Sequence, residues 1–296
     1  MSNGNESPDR YIFGRDANWR RGADEVTRLV VQEAFLHDQL GLLPPSIEHM
    51  DSVPKPVVLD LACGVGGWTL EMSTRYPEAT VIGIDRSTSL IEYARGRARA
   101  SNVNALFIQG DVLQFPLTIQ EQQVREGSVD LVHARLIASF MRWDAWPSFL
   151  QECRRMLRPG GIILLYESEL SHYDARRSPH MAEFTALMHG SLHASQHSFG
   201  GPSHFGVTTV LPTLVRESGF EILEKRPFLE EWSYGTHLHD SVTKDFEVAF
   251  HTARPFLLNI IPEQDYSRLI NEATREMHAP NFVGAFFSLQ VSARKS

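Results

Sequence analysis

The sequence has very little cysteine, no long apolar run and no excess of positive charge. Cys63 and Cys153 are the two cysteines among 296 residues, and neither has a pairing context, so we expect a protein of the reducing cytoplasm. Apolar runs stay below the roughly 18 residues of a membrane span, and the first residues are polar rather than signal-like. The net charge of −8 argues against a nucleic-acid partner, because phosphate contacts need clustered Lys and Arg. We therefore expect a soluble protein with neither a membrane nor a nucleic acid as partner.

Two familiar nucleotide-binding loops are missing as well. The P-loop pattern G-x-x-x-x-G-K-[ST] occurs nowhere in the chain. A glycine-rich turn with Gly64 and Gly66 does follow the first apolar strand, but Thr69 stands where a dinucleotide fingerprint needs a third small residue. The strand-end carboxylate of Asp60 would also oppose a pyrophosphate. The same carboxylate suits a cationic amine, so the turn fits S-adenosylmethionine, which carries an ammonium, a sulfonium and no phosphate.

Further acids stand at the ends of the strands that follow. Asp85 ends the second strand, where an acid of a βαβ unit accepts hydrogen bonds from both ribose hydroxyls of an adenosine; the alternative is that it caps the next helix. Asp111 follows a third strand and could accept the exocyclic amine of adenine, while the backbone of Val112 contacts the ring edge. A fourth strand runs into Ala134, and a fifth follows the next helix. This alternation predicts a parallel sheet with helices on both faces.

Together these elements resemble the core of a class I S-adenosylmethionine-dependent methyltransferase. The matching stretches are LDLACGVGG (59–67), IGIDRS (82–87), QGDVLQFP (109–116), SVDLVHAR (128–135) and LRPGG (157–161). The resemblance implies an α/β fold with a Rossmann-like parallel sheet and a terminal antiparallel hairpin, here near residues 219–224 and 282–294. It implies S-adenosylmethionine as cofactor, bound by Asp60, Ala62, Gly64, Asp85, Arg86, Asp111, Val112 and Ala134. Ala62 departs from the usual glycine but is small enough for close approach.

Segments outside this core are predicted to enclose the site. Residues 1–45 are expected to form a disordered tail and a helical N-terminal lid, in which Tyr11 contacts the methionine end of the cofactor; ordinary packing is the alternative for its aromatic residues. Residues 46–170 form the S-adenosylmethionine-binding core, residues 171–210 a cap insertion, and residues 211–296 the end of the sheet with a helical insertion at about 230–280. Enclosure favours a small organic acceptor, of the kind methylated in secondary metabolism. The lid and insertion could also supply a homodimer surface.

The segment between the fifth and sixth strands is rich in histidine. His189, His193 and His197 recur at intervals of four, so a single helix would align them on one stripe. Two such histidines can bind zinc, but no nearby acid or cysteine completes a ligand set, so no metal is expected. We interpret the segment as a cap over the substrate pocket, with His193 or His197 as hydrogen-bond donor or general base.

Two other functions remain open on the sequence alone. The fold could bind the cofactor and act as a partner subunit, or catalyse a non-methylating step such as cyclisation. A dinucleotide oxidoreductase is disfavoured by Thr69 and Asp60.

Overall fold

The computed structural model describes residues 19–114 and 125–296, and their strands form one sheet. The strands are β1 (Val57–Leu61), β2 (Thr80–Asp85), β3 (Leu106–Gln109), β4 (Val129–Arg135), β5 (Leu157–Ser168), β6 (His172–Tyr173), β7 (Phe220–Glu231) and β8 (Gly284–Lys295). Their order is β3-β2-β1-β4-β5-β8-β6, with β7 also paired to β8. Strands β1 to β5 pair in parallel, whereas β8 is antiparallel to β5, β6 and β7. The predicted Rossmann-like sheet with a terminal antiparallel hairpin is confirmed.

Helices cover both faces of this sheet. They are α1 (Trp19–Leu40), α2 (Gly67–Arg75), α3 (Thr88–Ser101), α4 (Trp146–Met156), α5 (Pro179–Ala194), α6 (Val207–Glu217), α7 (His239–Leu257) and α8 (Glu263–Met277). The first residues of β1 are apolar in succession, and they belong to different buried clusters: Val58 to the one that includes Trp68 of α2, and Leu59 to the one that includes Phe149 of α4. Since side chains alternate between the faces of a strand, a strand buried on both sides favours successive apolar residues.

Helices α7 and α8 lie between β7 and β8, where the sequence predicts a helical insertion. They pack with α5 around a core of their own that includes Phe184, Phe250 and Tyr266. Trp232, just after β7, belongs to the same core and stacks on Phe246 of α7. The insertion is therefore built onto the end of the hairpin. The division of the chain into lid, core and cap stays a prediction.

Strand β7 is twice as long as predicted. The sequence indicates a strand only near residues 219–224, but β7 continues to Glu231 because it pairs with β8 along its whole length, from Phe220 opposite Lys295 to Glu231 opposite Ala285. Its outer half carries charged residues and Pro227 on a largely exposed face, which hides the apolar alternation typical of a strand.

Candidate cofactor site

The turn after β1 brings the backbone close to two neighbouring elements. Gly66 has φ +79°, and a Cβ at this position would lie 2.5 Å from the ring of Phe107 and 2.9 Å from the Cβ of Ala94. A side chain at residue 66 is therefore excluded by both conformation and space. Ala62 also has a positive φ, +58°, so this alanine adopts a conformation that glycine takes without strain. The sequence indicates the tight approach but not the strain at Ala62.

Asp85 lies at the end of β2, directly beside this turn. Its half-buried carboxylate accepts hydrogen bonds from the backbone N–H of Gly64 at 3.0 Å and of Ser87 at 2.8 Å. Burial raises the pKa of Asp85 above its ordinary value. Each carboxylate oxygen has further lone pairs, so Asp85 can still accept from ligand hydroxyls. Two residues predicted to contact the cofactor, Gly64 and Asp85, are thus in direct contact.

The end of β3 completes this edge of the sheet. The N–H of Gly110 donates to the carbonyl of Asp85 at 2.9 Å, and Asp111 accepts from the N–H of Leu113 at 2.9 Å. The side chain of Val112 is buried in the main core, and that of Arg86 is exposed. The predicted adenine side of the site therefore has Asp85 and Asp111 at adjacent strand ends.

Asp60, which is predicted to suit a cationic amine, lies in a buried hydrogen-bond network. It is 3% exposed, and one oxygen accepts from the hydroxyl of Thr69 at 2.6 Å, while the other lies 2.8 Å from Nδ1 of His133. The His133 ring is stacked on Trp68 at 3.8 Å between centroids, and burial lowers its pKa. Both oxygens of Asp60 thus already have a partner within a buried network, and its contact with the cationic amine of the cofactor stays a prediction.

Ala134 is fully buried and lies opposite Leu61 in the parallel register of β1 and β4. Its small side chain therefore sits at the strand end that adjoins the glycine turn. Tyr11 lies outside the described residues.

A residue that the sequence does not single out, Glu33 of α1, reaches this turn. Its carboxylate accepts from the N–H of Gly67, the first residue of α2, and pairs with Arg97 of α3 at 2.9 Å. Arg97 also donates to the carbonyl of Val65 at 2.9 Å, and Leu29 of α1 lies against Gly64. One signal was present: Glu33 falls on the apolar stripe of α1, where a carboxylate is out of place unless it has a partner.

The three histidines of the cap do not share one stripe. Helix α5 ends at Ala194, so His197 lies beyond it; its N–H donates to the carbonyl of Leu192. His189 and His197 are buried, whereas His193 is exposed. The alignment predicted for a continuous helix is therefore wrong. The proposed roles of His193 and His197 stay predictions.

Among the side chains that the structure describes, no group of His, Cys, Asp and Glu is arranged to hold a metal ion. No helix of the described residues is long and apolar enough to cross a membrane.

This fold and site define a class of protein. A parallel sheet with an antiparallel last strand, a glycine turn after β1 and a carboxylate at the end of β2 are the features of a class I S-adenosylmethionine-dependent methyltransferase domain. The residues fit the cofactor, because Asp85 offers acceptors for a ribose and the turn leaves its backbone open to close approach. The family model for a methyltransferase domain matches residues 58–161. These residues are therefore a methyltransferase domain of that class.

The relatives extend the match but differ in length. The chain is 29% identical over 160 residues to the malonyl-[acyl-carrier protein] O-methyltransferase of Xylella fastidiosa, which covers 51% of this chain and 50% of that protein. It is 28% identical over 220 residues to methyltransferase pytC of Aspergillus terreus, covering 74% of this chain and 60% of that one. The crystal structure of a Bacillus halodurans C-125 protein assigned as a methyltransferase shares the fold, with a TM-score of 0.51 at 19% identity over 85% of this chain and 98% of that one. The chain spans about half the length of the Xylella protein.

Proposed function

We propose that this chain transfers a methyl group from S-adenosylmethionine to an O, N or C atom of a small organic acceptor by in-line displacement. The observation that carries the proposal is the contact between Asp85 and Gly64 at the carboxyl edge of the parallel sheet. Asp85, which would accept from ribose hydroxyls, thus lies beside a turn that a ligand can approach closely. We further propose that the protein acts in the cytoplasm, without a nucleic-acid or membrane partner, and that α1 and the insertion supply any homodimer surface.

The residues have separate tasks in this proposal. Asp85 would hold the ribose, Asp111 and the Val112 backbone the adenine, and the backbone around Ala62 and Gly64 the methionine end. When bound, S-adenosylmethionine supplies an electrophilic methyl group on a sulfonium. The protein's main contribution is to hold the nucleophile in line, where proximity can contribute about 7–11 kcal/mol. Asp60, whose carboxylate is held by Thr69 and His133, would face the cationic amine of the methionine end.

The surroundings of the turn favour a small acceptor. Helix α1 lies over the turn through Leu29 and Glu33, and Arg28 joins it to Asp245 of α7 at 2.8 Å. Helix α7 in turn packs on α5 through an edge-to-face contact between Phe250 and Phe184. A site bordered by these helices would exclude water and a bulky macromolecular acceptor.

The first experiment is calorimetric titration of the purified protein with S-adenosylmethionine and S-adenosylhomocysteine. Stoichiometric binding supports the cofactor assignment, and turnover on a panel of small acceptors then tests methyl transfer. Binding without turnover on a broad panel would favour the alternative of a partner subunit or a cyclase. A folded protein that binds neither compound contradicts the proposal.

Replacement of Asp85 tests the residue that carries the argument. Asp85→Ala should weaken S-adenosylhomocysteine binding by about ten- to a hundredfold, the range expected for lost hydrogen bonds to a charged group. Asp85→Asn keeps the size of the side chain and tests the charge. Asp240→Ala is the control, because the Asp240 side chain is 92% exposed on α7. Unchanged affinity in Asp85→Ala removes the ribose role.

A general base is proposed for acceptors that must lose a proton. If His197 or His193 has this role, its replacement by Ala lowers turnover more than cofactor affinity, by about a hundredfold or more. The exposed His193 is the weaker candidate, since a base must lie beside the acceptor in an excluded site. Unaffected turnover in both variants makes these histidines structural.

A further inference from the structure

Arg135 stands at the centre of the carboxyl edge of the sheet. It is the last residue of β4, and the register places Ala134 opposite Leu61, the last residue of β1. Arg135 is therefore level with Ala62, where the glycine turn begins. Its other neighbour is Tyr166 of β5, to which it is paired in register.

Arg135 differs from every other partly buried arginine whose side chain is described. The others each make a hydrogen bond or an ion pair: they are Arg28, Arg97, Arg142, Arg154, Arg155, Arg158 and Arg226. Among the side chains that the structure describes, Arg135 has neither a hydrogen bond nor an ion pair, and its electrostatic neighbours are His133 and Tyr166. Burial lowers the pKa of His133, which favours its uncharged form, and Tyr166 is a phenol whose pKa is raised. A partly desolvated guanidinium is thus left without an anion.

Four carboxylates near this edge already have partners other than Arg135. Asp60 contacts Thr69 and His133, and Glu33 contacts the N–H of Gly67 and the side chain of Arg97. Glu167 accepts from the N–H groups of Ile137 and Ala138. Glu230 accepts from the hydroxyls of Tyr166 and Ser288. A charged group removed from water needs a partner, and here the described residues do not provide it.

We infer that Arg135 binds a carboxylate of a ligand at the carboxyl edge of the sheet. The planar guanidinium donates two parallel N–H···O hydrogen bonds to a carboxylate, which gives both affinity and orientation. Two ligands could present the group: the amino-acid end of the cofactor, or an acid function on the acceptor. The inference rests on the proposed function, because both sources belong to the methyl-transfer site.

The test compares ligands that differ in the carboxylate. S-adenosylhomocysteine carries the amino-acid end, and 5′-methylthioadenosine lacks it. Benzoate and its neutral analogue benzamide probe the acceptor side, titrated into both free and S-adenosylhomocysteine-loaded protein. The variants are Arg135→Gln, which removes the charge, and Arg135→Lys, which keeps the charge but loses the paired N–H donors of the guanidinium. Arg216→Gln on the exposed face of α6 is the control, and thermal unfolding shows that each variant is folded.

The expected result for Arg135→Gln is a loss of affinity confined to ligands that carry a carboxylate. If the cofactor is the source, Arg135→Gln weakens the binding of S-adenosylhomocysteine by about ten- to a hundredfold and leaves the affinity for 5′-methylthioadenosine unchanged. The affinity of Arg135→Lys for S-adenosylhomocysteine then lies between those of the wild type and Arg135→Gln. If the acceptor is the source, both adenosine ligands bind as in wild type, while benzoate binds the wild-type protein, benzamide does not, and Arg135→Gln abolishes benzoate binding.

Two results overturn the inference. One is an Arg135→Gln protein that binds both adenosine ligands as wild type does, with no benzoate binding that depends on Arg135. The other is an equal loss of affinity for S-adenosylhomocysteine and for 5′-methylthioadenosine in Arg135→Gln, which makes Arg135 structural. A wild-type protein that binds neither adenosine ligand contradicts the proposed cofactor instead, and benzoate titration of the free protein then decides the role of Arg135.

Discussion

Ala62 is a single residue at which the backbone of the site is strained. Its φ of +58° costs an L-amino acid about 1–2 kcal/mol, whereas glycine adopts it freely. Ala62→Gly should therefore stabilise the protein, but by less than about 1.5 kcal/mol, since glycine also loses about 0.5–1 kcal/mol more conformational entropy on folding. Urea denaturation measures the change.

The matched control for this prediction is an alanine in ordinary helix. Ala100→Gly, on the exposed face of α3, should cost about 1 kcal/mol of unfolding free energy. The two substitutions should therefore change the free energy of unfolding in opposite directions. Equal destabilisation by both would show that Ala62 is not strained in solution.

Glu167 is a buried carboxyl at the end of β5 whose charge should make stability depend on pH. It is 1% exposed, and burial, with Glu169 nearby, raises its pKa to about 8. Because the folded value lies above the unfolded one, the folded state keeps a proton that the unfolded state loses. The contribution of Glu167 to stability is complete below its unfolded pKa of 4.5 and is lost as pH rises to about 8.

The measurement is the unfolding free energy of the wild type and of Glu167→Gln between these pH values. The wild type should lose up to about 1.4 kcal/mol per pH unit relative to the variant. The difference between the two proteins isolates Glu167, because His133, with its lowered pKa, titrates in both. Parallel pH profiles would show that Glu167 ionises normally in the folded protein.

The strand-end acids show what the sequence could and could not predict at this scale. Asp60 and Asp85 look alike in sequence, since each ends an apolar strand before a turn. Asp85 accepts from the N–H of Gly64, 21 positions away, whereas Asp60 pairs with His133, 73 positions away. Only the parallel register of β1 and β4, which places Asp60 opposite His133, brings the second pair together. Such a partner cannot be found from local spacing.

Among the elements, α1 is held on the glycine turn chiefly by one side chain. Glu33→Ala removes both the acceptor for the N–H of Gly67 and the ion pair with Arg97. It should lower the unfolding free energy by about 1–3 kcal/mol and speed amide hydrogen exchange in α1 more than in the parallel strands. Hydrogen exchange followed by mass spectrometry measures both regions in one experiment.

An exposed ion pair between α1 and α2 serves as control. His37 and Glu71 lie 2.8 Å apart with half-exposed side chains, so solvent screens their attraction. Glu71→Gln should therefore change exchange in α1 very little. If both variants speed hydrogen exchange in α1 equally, the contact at Gly67 stabilises α1 no more than a surface ion pair does.

Element type was easier to predict than element length. The apolar runs of β1, β2 and β4 are buried on both faces and leave a clear pattern, and α7 and α8 fall where the insertion is expected. The predicted limit of β7 is wrong, because pairing with β8 extends a charged strand, and the single helix considered for the three histidines is wrong, because α5 stops at Ala194, before His197. Tertiary pairing and helix termination decide these limits, and the local pattern does not contain them.

At the scale of the whole molecule, the two cysteines lie in regions that should open separately. Cys63 is in the glycine turn and 8% exposed, whereas Cys153 is 1% exposed within the core of α4 and α6. Burial raises the pKa of both thiols, and for Cys63 the carboxylates of Asp60 and Asp85 add to this. Reactive thiolate is therefore scarce in the closed molecule, and alkylation requires opening.

We expect the edge of the sheet to open more readily than its centre. The turn is held by α1 and a few hydrogen bonds, while Cys153 lies between α4 and the sheet, where exposure requires loss of the main core. Iodoacetamide should thus label Cys63 in a Cys153→Ala protein faster than Cys153 in a Cys63→Ala protein. Bound S-adenosylhomocysteine should slow the labelling of Cys63 by mass action, since it stabilises the closed turn. Equal labelling rates, tracking global unfolding, would instead show that sheet edge and core open as one cooperative unit.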